Sequence, residues 1–82
     1  MRLFTIAIYV YQDALAIHKE IGNPLGQANA LGSIGNVYAS QGKYEEALKL
    51  LNEARSIFGE IGAAEKLRLT EQTISQLETA MK

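Results

Sequence analysis

Ala14, Ile17, Glu20, Ile21 and Gly22 recur 40 positions later as Ala54, Ile57, Glu60, Ile61 and Gly62. The same offset pairs Phe4 with Tyr44, Ala7 with Ala47, Ile8 with Leu48, Val10 with Leu50, Ile34 with Ile74 and Val37 with Leu77. An internal period of this size means stacked copies of one small unit, none of which buries its apolar face alone. That requirement narrows the fold before any single residue is interpreted.

Within the unit, Tyr44, Ala47, Leu48, Leu51, Ala54, Ile57, Phe58 and Ile61 are spaced by three and four, the signature of one helical stripe rather than of a strand. Glu45, Glu46, Lys49, Asn52, Glu53 and Glu60 take much of the remaining surface, as on a helix that faces water. Gly22-Asn23-Pro24 combines a left-handed stop, a residue able to cap the next helix and a proline suited to its first position. Gln41-Gly42 and Gly62 close two more helices. The spacing predicts helices over 2–21, 25–41, 43–61 and 63–81, joined by connections short enough to force antiparallel neighbours. The expected fold is all-α, a solenoid fragment of antiparallel helix-turn-helix units with about four helices.

The 82 residues carry 8 Lys and Arg against 9 Asp and Glu, a net charge of −1, so there is no large positive field to gather phosphate backbones or anionic lipid. Neither nucleic acid nor a membrane is expected as a partner. The opening Met1-Arg2-Leu3-Phe4-Thr5-Ile6-Ala7-Ile8-Tyr9-Val10-Tyr11 has some features of a secretory signal, but Gln12-Asp13 interrupt it well short of the ~20 apolar residues that span a bilayer. The absence of cysteine removes disulfides and thiolate chemistry and is compatible with a reducing compartment, so the cytoplasm is the expected location.

Ala28-Asn29-Ala30-Leu31-Gly32-Ser33-Ile34-Gly35-Asn36-Val37-Tyr38, followed by Gly42-Lys43-Tyr44-Glu45-Glu46-Ala47-Leu48, closely resembles a tetratricopeptide repeat. Leu31, Ile34-Gly35, Tyr38, Ala47 and Ala54 meet the family pattern, and only its closing proline is missing. The period of 40 exceeds the usual ~34 and implies a longer second helix. The resemblance reads the chain as a single domain over 1–82: residues 2–21 as the second helix of a preceding unit, 25–61 as a complete repeat and 63–81 as a C-terminal capping helix. Glu71, Ser75 and Glu78 stand there in place of Leu31, Gly35 and Tyr38. Small residues at Gly35, Ala47 and Ala54 would let helices approach, while Leu31, Tyr38, Tyr44 and Leu51 fill the spaces between.

The resemblance also implies a function: a non-catalytic module that binds a protein or peptide in the groove lined by the first helix of each unit. By register that groove includes Asn29, Gly32, Asn36, Ala39 and Ser40, continued by Gln72, Gln76 and Thr79. These offer neutral hydrogen bonds to an extended chain or a partner helix. A carboxylate-gripping version is not expected, because Gly32 occupies the place where a lysine would help. No cofactor or metal is called for. His18 lies off the apolar stripe without a partner at a defined spacing and is expected to be solvated. The glycines at 22–26 and 32–35 lack phosphate-loop spacing and are read as helix stops and close packing.

Fewer than two full units are present where about three are normally needed, so the first helix is expected to lack cover. Thr5, Ile6 and Tyr9 replace Glu45, Glu46 and Lys49 of its copy, which makes it the more apolar of the two. One expectation is a homodimer or helix-exchanged oligomer formed through Phe4, Ile6, Ile8, Tyr9 and Tyr11. The other is a preceding helix of a longer array.

Overall fold

The computed structural model describes the backbone of residues 2–82 and the side chains of residues 3–82, so Met1 and the Arg2 side chain of the opening run lie outside the described residues. Four helices follow one another: α1 (Arg2–Glu20), α2 (Pro24–Ser40), α3 (Tyr44–Glu60) and α4 (Ala64–Ala80). Each end falls within a residue or two of its expected place. Strands are absent among the described residues.

The three turns share one design. Gly22, Gly42 and Gly62 have φ of 67°, 80° and 71°, the left-handed region that costs an L-residue strain and glycine none. The next residue then turns its N–H back onto the last helical turn: Asn23 to the His18 carbonyl at 2.8 Å, Lys43 to Tyr38 at 2.9 Å and Ala63 to Phe58 at 2.9 Å. These six-residue closures satisfy carbonyls that a helix end leaves open. The glycines stand 20 positions apart, so α2 and α3, each with its turn, spend the same length of chain. Consequently α2 and α3 are both 17 residues long. The length beyond an ordinary repeat is shared between the two helices, rather than added to the second as the period suggested.

The first junction carries an extra clasp. Asn23 caps α2 through its Oδ1, which accepts from the Gly26 N–H at 3.1 Å, and Pro24 occupies the first helical position. Lys43 and Ala63, at the other two junctions, make no side-chain cap.

Packing runs in chain order, α1 on α2, α2 on α3 and α3 on α4, and the Cα trace fills a slab of 37 × 30 × 15 Å. The core is accordingly two small clusters. Ala28, Leu31, Ala54 and Phe58 form one, with Leu15 of α1 and Leu67 of α4 packed against it. Ala47, Leu51, Ile74 and Leu77 form the other, where Tyr38 and Tyr44 are half-buried against the cluster rather than within it. Gly35 lets α2 and α3 meet, since a Cβ there would stand 2.9 Å from Leu51 Cγ and 3.3 Å from the Ala47 carbonyl oxygen. Gly32 has a different role: a Cβ there would meet nothing within 4 Å, so close packing does not account for it.

His18 is not the solvated side chain expected from its spacing. Its ring is half-buried against α2, where a Cβ on Gly26 would overlap it, and its Nδ1 lies 3.3 Å from Asn23 Nδ2. Because Asn23 Oδ1 already accepts from the backbone, the amide nitrogen is the donor and Nδ1 the acceptor. The repeat offset places His18 where the second copy has the core residue Phe58.

Candidate binding surfaces

Because α2 and α4 occupy equivalent positions in successive units, they present their faces to a common side. Between them lies a hollow of about 170 Å³, floored by Ala28 and Phe58 and walled by Asn29, Gly32, Ser33 and Asn36 of α2 and Lys66, Leu69 and Thr70 of α4. Three of the predicted groove residues, Asn29, Gly32 and Asn36, therefore converge. Ser40, Gln72 and Gln76 are exposed but outside this hollow.

The open space at Gly32 now has a place: it widens the hollow at its rim. Among the described residues neither the Asn29 nor the Asn36 amide is engaged by another side chain, which leaves both free to pair with a ligand backbone. Lys66 supplies one cation, whereas Thr70 spends its hydroxyl on the Lys66 carbonyl at 2.7 Å. Register alone carries only part of the α4 wall, because Lys66 and Thr70 are the equivalents of Gly26 and Ala30 rather than of α2 groove positions. The offset does pair Leu69 with Asn29, and that is the signal by which it could have been found.

A larger hollow of about 380 Å³ lies where α1 meets α2, lined by Tyr11, Ala14 and His18 on one side and Gly26, Asn29, Ala30 and Ser33 on the other. Its α1 residues correspond, 40 positions on, to Leu51, Ala54 and Phe58, all buried. In the second copy both α2 and α4 cover those positions; in the first, α2 takes the place of α4, and no helix stands in the place of α2 among the described residues.

The remaining surface of α1 divides unequally among the residues expected to mediate self-association. Ile6 and Tyr9 are exposed, while Phe4, Ile8 and Tyr11 are half-buried. Leu3, Val10, Ile17 and Ile21 join Ile6 and Tyr9 as exposed apolar side chains. No cluster of three or more His, Cys, Asp or Glu with metal-binding geometry occurs among the described residues, and no described helix is long and apolar enough to cross a membrane.

No curated protein and no solved structure matches the chain. A family model described as Tetratricopeptide repeat matches residues 1–60, from the start of α1 to the end of α3. With the glycine-closed turns, the Gly35 crossing and the paired hollows of successive units, that match makes this chain a member of the tetratricopeptide repeat family.

Proposed function

We propose that the chain is a non-catalytic protein-interaction module whose α2–α4 hollow takes an extended peptide or a partner helix. The observation that carries this reading is the convergence of two unengaged amides, Asn29 and Asn36, and the Lys66 ammonium around an apolar floor of Ala28 and Phe58. Such a site anchors an apolar side chain and reads the neighbouring backbone by hydrogen bonds. Lys66 adds a preference for a ligand with a carboxylate nearby. The absence of cysteine fits a reducing compartment, and the cytoplasm is the location that goes with this reading.

The test is to select peptides from a displayed random library on the intact chain and measure their affinity by calorimetry. Asn36→Ala should weaken the selected peptides by roughly tenfold, as expected for the loss of one buried hydrogen bond. If Asn36→Ala and Lys66→Ala both leave affinity unchanged, the hollow is not the binding site.

A second reading is favoured by the exposed apolar side of α1: self-assembly into a homodimer or a helix-exchanged oligomer. A patch built from Leu3, Ile6, Tyr9, Val10, Ile17 and Ile21 is larger than scattered surface apolar residues and calls for a partner. The two readings use opposite ends of the stack and are compatible with each other.

A further inference from the structure

We propose that the furrow between α1 and α3, on the opposite side of α2 from the α2–α4 hollow, seats a partner helix that carries a lysine or arginine on each side of an aliphatic residue. Each of these two helices runs antiparallel to α2, so they run parallel to each other with α2 beneath. Between them lies a hollow of about 350 Å³, floored by Leu15 of α1, Ile34 and Tyr38 of α2 and Leu50 of α3. Ile34 is buried and the other three are half-buried, which leaves an apolar floor within reach of one inserted side chain. All three helices that bound the hollow belong to this chain, so its opening does not come from an uncovered end.

The chemistry of the occupant is read from the α3 wall. Glu46 and Glu53 stand two turns apart, roughly 10 Å along the axis, and both are exposed at the rim. Lys49 lies between them at spacings that ordinarily let a lysine pair with either, yet among the described residues it forms an ion pair with neither. Gln12 on the facing wall is uncharged. The rim therefore holds two open carboxylates with one ammonium between them, above an apolar floor. A ligand that matches it sets cations at positions i and i+7, an aliphatic side chain at i+3 or i+4 to fill the hollow, and no cation at that middle turn. Such an order is a helix with basic residues two turns apart, and the furrow between two parallel helices is the groove that a third helix fits. A helix lying there touches neither Asn36 nor Lys66, so both surfaces of the chain can be occupied together.

The test starts from the whole chain carrying Asn36→Ala and Lys66→Ala, which removes polar groups of the α2–α4 hollow and makes the result independent of that reading. A displayed library of helical peptides, randomised along one face, is selected on this chain, and the recovered peptides are measured by calorimetry. They should share lysine or arginine seven residues apart with an aliphatic residue between. Glu46→Lys combined with Glu53→Lys should weaken them by about tenfold or more, the sum of two exposed ion pairs, with helical circular dichroism kept because both side chains are exposed. Peptides in which the two basic residues are exchanged for glutamate should show the reverse preference, binding the charge-reversed chain better than its parent. Recovered peptides that lack the basic pair, or that carry it and are indifferent to the reversal of Glu46 and Glu53, would overturn the proposal, as would a library that yields no binder.

Discussion

The Lys43 ammonium lies 5.7 Å from the centre of the Tyr38 ring, across a turn in which the Lys43 N–H also bonds the Tyr38 carbonyl. The same two positions meet at the other turns with different chemistry. His18 and Asn23 share a side-chain hydrogen bond, and Ala63 packs against the cluster that holds Phe58. A ring on the last helical turn, near the residue that follows the turn glycine, thus recurs at each corner of the stack. Such contacts commonly accompany this type of helix ending.

The Asn23 clasp gives the first prediction. Asn23→Ala removes both the α2 cap and the hydrogen bond to His18, and should cost about 1–2 kcal/mol, the upper half of the range for losing a helix cap. Lys43→Ala removes only a cation–ring contact at an uncapped junction and should cost about 0.5–1 kcal/mol. Thermal melts of the two variants should preserve that order.

Two glycines in one helix should respond with opposite sign. Gly35→Ala pushes a methyl against Leu51 and the Ala47 carbonyl and should destabilise by about 1–3 kcal/mol. Gly32→Ala meets open space in a helix interior and should stabilise by about 0.5–1 kcal/mol. Denaturant midpoints measured side by side would expose any failure of this contrast.

Ala47 is completely buried at the same crossing, so Ala47→Trp has no room to repack. A loss on the order of 1–3 kcal/mol or more is expected, read as a lower melting temperature. An unchanged melting curve would contradict the assigned α2–α3 contact.

Phe58 joins both core and function, being buried and also the floor of the α2–α4 hollow. Phe58→Ala should cost about 3–5 kcal/mol, a large share of the ~4–12 kcal/mol expected of a chain this size. Urea unfolding should show the midpoint collapsing, with peptide capture lost at the same time.

Much of this arrangement is legible before folding. The period of 40, the three-and-four spacing of α3 and the glycine stops specify helix number, order and nearly every boundary, because each depends on local geometry. Side-chain direction in α1 is less legible. Phe4, Ile8 and Tyr11 are as apolar as Leu3, Ile6 and Val10, and a helix apolar on most of its circumference does not disclose which arc faces its neighbour. His18 misleads for a different reason: its spacing reads as off the apolar stripe and without a partner at a defined spacing, while its offset from Phe58 points to an inward position. In the hollow, Asn29 and Asn36 follow from register, whereas Lys66 enters only because the first turns of α4 lie beside those of α2.

The equal spacing of Gly22, Gly42 and Gly62 carries a consequence for how such a protein changes length. Every corner closes by the same backbone geometry without calling on the identity of the helix that follows, so the smallest exchangeable piece is one helix with its corner, half of the sequence period. Recombination at these glycines could add, delete or transplant a single rod while preserving the backbone at the splice, and could leave a chain with an odd number of rods or one that opens on either helix type.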